Sequence, residues 1–281
     1  MIKPLRDLFG SALGAIALFG CVSEDGFPED IGAEQALPGA EGAIDLSQYE
    51  RTFSEDFGRL DVSDWGCRSR WIAHTPYAGD FGDARFADPT VNFPFIARRG
   101  LLRIEAKKTA TGGWETGNLS SQNPCGTGFT QQYGYFEARI KLPEGLGTWP
   151  SFWMLSNDTN GYRVEVDVLE FYGHKADRFQ AAYRLHPLKS DTKRFGDLKW
   201  VEELDDSLTS QFNTYGVSIE EDFMVFYLNR REHWRVPTPD EFKQPMYMLV
   251  TLALGSGYPI EETPNPTHMF VDYVHVYKKK P

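Results

Sequence analysis

The stretch of residues 163–172, RVEVDVLEFY, constrains the fold more than any other part of the chain. Side chains alternate between the two faces of a strand, so its valines form one face and its first two acids the other. Strict alternation would then expose Leu169 and bury Glu170. A one-residue β-bulge at Val168 and Leu169 turns both apolar residues to the core and returns Glu170 to the acidic face. The stretch therefore predicts a bulged strand in a sheet that is packed on one side and open on the other.

The acidic face of this strand carries three carboxylates, Glu165, Asp167 and Glu170. Like charges so close together resist ionising, which opposes folding unless the carboxylates have a chemical use. Glu165 and Glu170 are about four strand steps apart, roughly 13 Å between Cα atoms, and their long side chains can close much of that gap. Carboxylates about 5.5 Å apart suit a retaining glycosidase, with Asp167 sharing a proton with Glu165 or raising the pKa of the acid. The alternative is a solvated strand face that is acidic by chance.

Strand patterns separated by turn residues recur along the chain, which indicates an all-β protein. Predicted strands cover residues 100–107, 129–142, 163–172, 178–186, 214–219, 223–228, 247–254 and 269–277. A long amphipathic helix is not evident, and only residues 205–211 are predicted to form a short one. Roughly 230 residues remain after the N-terminal segment, a length that suits one all-β domain.

Several motifs, taken in order, resemble glycoside hydrolase family 16. The run EVDVLE at residues 165–170 resembles the active-site signature of that family in its bulged form. Further segments that resemble the family are residues 129–139, 147–155 and 271–277. The resemblance extends from about Thr52 to Lys278. The segments 237–241 and 245–250 are most similar to bacterial endoglycanases that process succinoglycan-type exopolysaccharides, and laminarinases are the next group.

The resemblance implies a concanavalin-like β-sandwich jelly roll, in which two curved antiparallel sheets enclose a cleft on the concave face. It implies a retaining endo-β-glycanase that hydrolyses internal bonds of a polysaccharide, either a β-1,3- or mixed-linkage glucan or a succinoglycan-type exopolysaccharide. Glu165 would be the nucleophile, Glu170 the acid/base and Asp167 an electrostatic helper. A non-catalytic lectin-like protein is the alternative on the same fold, although it would not need both glutamates. A transglycosylase would use the same covalent intermediate.

Two tryptophans, Trp149 and Trp153, match positions that line sugar subsites in the family. An indole ring can stack on the apolar face of a pyranose. Alternation places Phe152 and Met154 on one face and Trp153 on the other. We therefore expect Trp153 in the cleft, whereas its apolar neighbours favour the alternative of a core position.

Three further residues are candidates for substrate binding. His186 lies where the resemblance places a histidine close to the acid/base, so it is expected to tune Glu170 or to bind sugar. Arg184 is expected on the same face, where it would meet an anionic substituent of the glycan, or have a general surface role. Asn118 matches a family segment at the edge of the cleft.

The N-terminus has the pattern of an export signal. Residues 1–20 are predicted to be a signal peptide, because a short basic region precedes the apolar residues 8–20, which are too few to span a bilayer. Residues 18–21 resemble a bacterial lipobox, so Cys21 is the predicted lipid anchor; cleavage at another site is the alternative. Residues 21–48 form an acidic linker and residues 49–281 the catalytic domain. We expect an exported lipoprotein of the bacterial cell envelope, or otherwise a secreted protein.

Charge and cysteine content narrow the expected partners. The formal net charge of −11 argues against nucleic acid as a ligand. With Cys21 lipidated, Cys67 and Cys125 remain as a disulfide pair or as two buried thiols. The sequence predicts no cofactor and no metal site; relatives often hold a structural calcium, for which Asp56 and Asp272 are weak candidates. We expect a monomer that binds a polysaccharide and meets a membrane only through its lipid.

Overall fold

Strands make up about half of the chain that the structure, a computed structural model, describes: residues 26–32, 42–77, 79–157, 161–190, 193–202 and 207–281. The predicted signal peptide, Cys21 and half of the predicted linker lie outside these residues. Met1–Asp30 and Ile31–Pro281 are separate units, and the description that follows concerns the second.

Eighteen strands lie within the described residues. They are β1 (Tyr49–Glu55), β2 (Val62–Ser63), β3 (Trp71–Ile72), β4 (Arg85–Phe86), β5 (Phe95–Arg98), β6 (Leu101–Lys108), β7 (Trp114–Thr116), β8 (Asn118–Ser120), β9 (Gly134–Lys141), β10 (Thr148–Ser156), β11 (Tyr162–Phe171), β12 (Arg178–Pro187), β13 (Phe195–Glu202), β14 (Asn213–Ile219), β15 (Phe223–Leu228), β16 (Arg231–Pro237), β17 (Met246–Leu254) and β18 (Thr267–Lys279). One short helix, α1 (Ser207–Ser210), and the 3₁₀ turns Leu46–Gln48, Gly173–Lys175 and Asp240–Phe242 complete the described elements.

The strands form two sheets. The outer sheet has ten strands in the order β16-β15-β14-β9-β18-β6-β7-β4, with β1 also paired to β18 and β5 to β6. The inner sheet has eight strands in the order β13-β12-β11-β10-β17-β8-β3-β2. Pairing is antiparallel except for two short parallel pairs, β2 with β3 and β4 with β7, at the ends of the sheets. The strand that carries the three carboxylates is therefore the third in from the β13 edge of the inner sheet.

Alternate residues of both sheets meet in one hydrophobic core. The inner sheet contributes the valines of β11 and every second residue of β17, and the outer sheet contributes Phe136 of β9 and Val274 of β18. Because side chains alternate along a strand, Glu165 and Asp167, which lie between the valines, point away from the core. The acidic residues of β11 therefore lie on the face of the inner sheet that points away from the outer sheet.

The predicted β-bulge in β11 is confirmed. Between Asp167 and Glu170, β11 has one residue more than the paired part of β12. The register with β10 shifts at the same place. Val168 and Leu169 are both buried in the core. The bulge thus returns Glu170 to the same face as the two acids before it.

The predicted strands agree with the structure in type, and most of their ends differ by one or two residues. The strand predicted at 129–142 begins only at Gly134, and the short helix covers Ser207–Ser210. Two edge strands, β13 and β16, have no clear alternation in the sequence because most of their residues are at least partly exposed. A period-two pattern arises only where one face of a strand is packed.

His233 of β16 is a partly buried ionisable group whose ring lies against the core. Its ring contacts Phe179 and Phe226, with ring centroids 5.8 and 6.4 Å away. Both ring nitrogens are buried and have no hydrogen-bond partner among the described residues. Burial, together with the charge of Lys199, lowers the pKa of His233 to about 4. The imidazole is therefore neutral in the folded protein at neutral pH.

This histidine predicts a loss of stability in mild acid. Between pH 6.5 and about 4 the unfolded chain binds a proton at His233 that the folded chain does not. The free energy of unfolding is thus expected to fall by up to about 3 kcal/mol as the pH decreases through this window. Urea unfolding at pH 7 and pH 4.5 would measure the loss, and His233→Phe should reduce it. An equal loss in the variant and the wild type would contradict this prediction.

Candidate active site

The three carboxylates of β11 lie together at a cavity of about 410 Å³. Their side chains are mostly buried, with exposed fractions of 17% for Glu165, 6% for Asp167 and 10% for Glu170. The other cavity residues come from β10, β11, β12 and one loop: Phe81, Trp149, Ser151, Trp153, Leu155, Arg163, Arg184 and His186. The alternation of β10, β11 and β12 thus brings most of the predicted site residues to one place.

Arg184 bridges all three carboxylates. Its Nη1 donates to Oε1 of Glu165 at 3.0 Å and to Asp167, and its Nη2 donates to Oε2 of Glu170 at 3.1 Å. Nη2 also donates to the side-chain oxygen of Gln180 at 2.7 Å. The predicted contact of Arg184 with an anionic substituent of the substrate therefore needs correction, since its donors already point to the carboxylates of its own chain.

The register of β11 and β12 explains this arrangement. Arg184 is paired with Glu165, and Gln180 with Glu170, across the two strands. The residue between them that is paired with Asp167 is Ala182, whose small side chain leaves space for the guanidinium group. A single arginine can therefore extend along the strand and contact both ends of the carboxylate row.

Glu170, one of the three carboxylates, has a shifted pKa. Burial raises the pKa of Glu170 above its usual value, and the charge of Glu165 adds to this. Hydrogen bonds from Tyr172 and from Nε1 of Trp149, at 3.1 Å, act in the opposite direction. The contact with Arg184 also favours the ionised form, so the raised pKa reflects burial. A carboxyl group that keeps its proton at higher pH is suited to general acid catalysis.

His186 lies next to Glu165 and not next to Glu170, so the predicted proximity to the acid/base is wrong. The alternative, that His186 binds sugar, stays a prediction, and its side chain does line the cavity. Its Nε2 is 3.3 Å from Oε2 of Glu165, within range of a charge interaction but without the geometry of a hydrogen bond. The reason is the register, which pairs His186 with Arg163 at the start of β11. The histidine therefore lies at the end of the cavity farthest from Glu170.

The two tryptophans of β10 both line the cavity, and Phe152 and Met154 are in the core. Nε1 of Trp153 donates to Oγ1 of Thr251 at 2.9 Å, and Thr251 in turn donates to Oδ1 of Asn118 at 2.6 Å. Asn118 is fully buried and is not among the residues that line the cavity. The structure therefore places Asn118 behind Trp153, where it supports the indole and cannot contact a sugar directly.

Phe81 is a cavity residue that our sequence reasoning missed. Its ring contacts Trp149 and Trp153 edge-on, with ring centroids 5.4 and 5.6 Å away. It belongs to a long loop with no strand pattern, so no signal in the sequence indicates where its side chain lies. Leu155 and Arg163, also missed, could have been found by extending the alternation of β10 and β11.

Cys67, Cys125 and the two calcium candidates have defined partners. Cys67 and Cys125 form a disulfide that spans 58 residues, with 5.8 Å between the Cα atoms. Asp56 contacts His275 at 2.7 Å, and Asp272 accepts a hydrogen bond from Arg139 at 2.6 Å. Among the described residues there is no group of three or more His, Cys, Asp or Glu side chains that could hold a metal ion. In the same part of the chain, every helix is too short or too polar to cross a bilayer.

Comparison with curated proteins finds bacterial relatives over most of the chain. Endo-1,3-1,4-beta-glycanase EglC of Rhizobium meliloti (strain 1021) is 31% identical over 257 residues, which are 84% of this chain and 53% of the relative. Endo-1,3-1,4-beta-glycanase ExsH of the same organism is 30% identical over 258 residues, with the same coverage. The chain thus spans about half the length of the curated relatives that it matches.

Comparison with solved structures shows the fold. The catalytic domain of an endo-1,3-beta-glucanase (laminarinase) from Thermotoga petrophila RKU-1 has a TM-score of 0.65 at 21% identity and covers 83% of this chain and 99% of that one. SCLam, a non-specific endo-beta-1,3(4)-glucanase, has a TM-score of 0.66 at 22% identity, with 89% and 100% covered. These likenesses confirm the predicted jelly-roll sandwich.

The model of one protein family, described as glycosyl hydrolases family 16, matches residues 96–275. The matched region includes the bulged strand, both tryptophans and all three carboxylates. It covers more than half of the chain. The chain therefore belongs to glycosyl hydrolases family 16.

Proposed function

We propose that this protein is a retaining endo-β-glycanase that hydrolyses internal bonds of a β-glucan. The observation that carries the proposal is the pair Glu165 and Glu170, which lie on one face of a bulged strand, in one cavity, in contact with one guanidinium group. A lectin would have no use for two buried carboxylates that oppose folding. The activities of similar proteins support the choice of substrate: the two Rhizobium relatives are endo-1,3-1,4-β-glycanases, and the Thermotoga structure is that of an endo-1,3-β-glucanase.

Glu165 and Glu170 divide the chemistry between them. The carboxylate of Glu165 attacks the anomeric carbon and forms a glycosyl ester, while Glu170 gives its proton to the departing glycosidic oxygen. Glu170, now ionised, then takes a proton from water, whose oxygen attacks the anomeric carbon and frees Glu165. Retention needs carboxyl groups about 5–5.5 Å apart, whereas inversion needs about 6.5–9.5 Å. One guanidinium group contacts both carboxylates, which keeps the two groups close together on the same face of the strand.

Asp167 supports the pair without contacting the anomeric carbon. It lies between the two glutamates on the same face and is largely buried, in an ion pair with Arg184. A buried charge next to the nucleophile and the acid changes the energy of each protonation state. We assign to Asp167 the electrostatic role that the sequence predicts.

The substrate assignment is tested by a product screen. The purified protein is incubated with laminarin, mixed-linkage β-glucan, succinoglycan, agarose and carrageenan, and new reducing ends and released oligosaccharides are measured. We expect release from at least one of the first three glycans, with fragments of several sizes from the start of the reaction. Binding of these glycans without any release would favour the lectin alternative and would contradict the proposal.

The raised pKa of Glu170 predicts the alkaline side of the pH profile. The acid must be protonated when the glycosidic bond breaks, so kcat falls as the pH rises through the pKa of Glu170. Since burial raises this pKa above that of an ordinary glutamate, activity should persist at a pH where a free glutamate is ionised. Trp149→Phe removes a hydrogen bond that lowers the pKa, so the alkaline limb should move to higher pH. An unchanged limb in this variant would contradict the assignment of Glu170 as the acid.

We also propose that the protein acts outside the cytoplasm. The disulfide between Cys67 and Cys125 supports an oxidising compartment. A lipid on Cys21 remains a prediction, as does the monomeric state. Mass spectrometry of the mature N-terminus would test the anchor: a lipidated Cys21 is expected, and a mature chain that begins elsewhere would contradict it.

A further inference from the structure

The face of the inner sheet that carries the cavity is accessible at β11 but covered at β17 and β8. In β17, the side chains of Tyr247, Leu249 and Thr251 alternate with core residues, and the register places Leu249 beside Trp153 and Thr251 beside Ser151. These three side chains therefore lie on the same face of the inner sheet as the cavity, yet each is 0% exposed. Asn118 and Ser120 of β8, which are paired with Thr251 and Leu249, are also fully buried. The face that is open at β11 is thus closed at β17 and β8.

The segment that follows β3 and includes β4, residues 73–77 and 79–92, contributes to this closure; we call it the cover segment. Tyr77 packs against Tyr247 with ring centroids 6.3 Å apart. The ring of His74 contacts the carboxylates of Asp80 at 3.4 Å and Asp88 at 2.9 Å. Thr75 donates to the carbonyl oxygen of Gly79. Contacts within the segment therefore give it a defined conformation over the sheet.

The cover segment is also joined to the end of β17. The backbone nitrogen of Asp83 donates to the carbonyl oxygen of Leu254 at 2.9 Å. Gly82, with φ of +77°, lies so close to β17 that a Cβ atom there would be 2.6 Å from the same carbonyl oxygen. A larger residue at Gly82 would have to move the segment away from the sheet.

Phe81 lies at the boundary between the covered half and the cavity. It packs on the apolar cluster formed by Trp153, Leu155, Tyr247 and Leu249. Its ring also contacts Phe86 of the cover segment, with ring centroids 5.0 Å apart. Among the described residues that line the cavity, none belongs to β17 or β8. The cavity therefore ends at this ring.

We propose that Phe81 is the end wall of the cleft and limits how many sugars bind on the β17 side of the scissile bond. Neighbouring strands are about 4.8 Å apart, so a glycan that crosses the sheet from β11 meets the wall within about two strand spacings, roughly 10 Å. This distance leaves room for about two sugar residues. A longer chain must turn away from the sheet at Phe81. On the β12 side, the next strand is β13, and its residues Gly196 and Leu198, which are paired with Arg184 and Ala182, are exposed. The inference rests on the proposed glycanase function and adds a determinant of specificity to it.

A subsite map tests the wall. β-Glucan oligosaccharides of increasing length, labelled at the reducing end, are hydrolysed by the wild type, and kcat/KM and the position of each cut are measured. On the side of the scissile bond that is limited by Phe81, we expect that sugars beyond the second leave kcat/KM unchanged. On the other side, we expect that each further sugar raises kcat/KM. In Phe81→Ala, a third sugar on the limited side should raise kcat/KM by about tenfold, which corresponds to about 1.4 kcal/mol.

The control is Phe223→Ala, which removes an equally large, partly exposed ring from the outer sheet and should leave the subsite map as in the wild type. If Phe81→Ala does not fold, Phe81→Leu keeps an apolar side chain on the cluster and should give a smaller gain in the same direction. A wild type that gains from three or more sugars on both sides would overturn the wall while the proposed function stands. So would a folded Phe81 variant with the map of the wild type. A wild type that cleaves no β-glucan oligosaccharide would instead overturn the proposed function, and the wall with it.

Discussion

Glu165→Gln is expected to lower kcat by about 10⁴-fold or more, the range found when a nucleophile that acts within a catalytic unit is removed. An amide oxygen is a far weaker nucleophile than a carboxylate, so the glycosyl ester cannot form at a useful rate. The side chain keeps its size, and its oxygen can still accept the hydrogen bond that Arg184 donates to Glu165 at 3.0 Å. Kinetics on the glucan that the wild type cleaves best would measure the loss.

Two controls separate this effect from a loss of structure. Glu202→Gln makes the same change on β13, two strands away from β11, where Glu202 pairs with Arg178 outside the cavity, and it should retain nearly full activity. Glu165→Ala in the presence of azide should produce a glycosyl azide of inverted configuration, because the small anion takes the place of the missing carboxylate. Substantial turnover by a folded Glu165→Gln variant would contradict the assignment of the nucleophile.

Glu170→Ala is expected to show a loss of activity that depends on the leaving group. General acid catalysis contributes about 10²–10⁴-fold to the rate. A sugar leaving group needs this contribution in full, because its hydroxyl group is only weakly acidic and its oxygen must be protonated as the bond breaks. With an aryl glycoside whose phenol is strongly acidic, the first step needs little proton donation, so the glycosyl ester should form quickly and accumulate. A burst of phenol followed by slow turnover would be the expected record in a stopped-flow experiment.

Azide again gives the sharper evidence for Glu170. It should accelerate the second step in Glu170→Ala and yield a glycosyl azide of retained configuration, the opposite of the product expected from Glu165→Ala. An equal loss for sugar and aryl leaving groups would contradict the role of Glu170 as the acid. The two alanine variants therefore test the two roles separately.

The sequence predicts the carboxylate strand well because one physical rule determines it. One face of β11 must be packed, and a packed face requires a period of two, so the mismatch at Leu169 and Glu170 had to be resolved by a bulge. The same rule places Trp153 in the cavity and its two neighbours in the core. These conclusions depend only on the local pattern of apolar residues.

Partners across strands were harder to predict. Arg184 and His186 are on the predicted face, but the predicted contacts were not those in the structure, because the register between β11 and β12 decides which carboxylate each residue meets. Nothing in the composition of β12 reveals that register. Asn118 shows the same difficulty, since its partner Thr251 lies on β17, which is remote in sequence.

The position of Phe81 at the end of the cavity could not be predicted from the sequence. Phe81 is remote in sequence from the catalytic strand, and no periodic pattern surrounds it. Its position follows from the close approach of Gly82 to Leu254 and from the contacts of His74 with Asp80 and Asp88. Loop conformations of this kind depend on many tertiary contacts at once, so the chemistry of the site was readable from the sequence and the shape of its cleft was not.

The configuration of the first product tests the central claim most directly. Proton NMR spectra, recorded within the first minutes of glucan hydrolysis and before mutarotation, would show which anomer of the new reducing end forms first. Retention through a glycosyl ester on Glu165 predicts the β-anomer, followed by slow appearance of the α-anomer. The α-anomer as the first product would contradict the paired roles of Glu165 and Glu170.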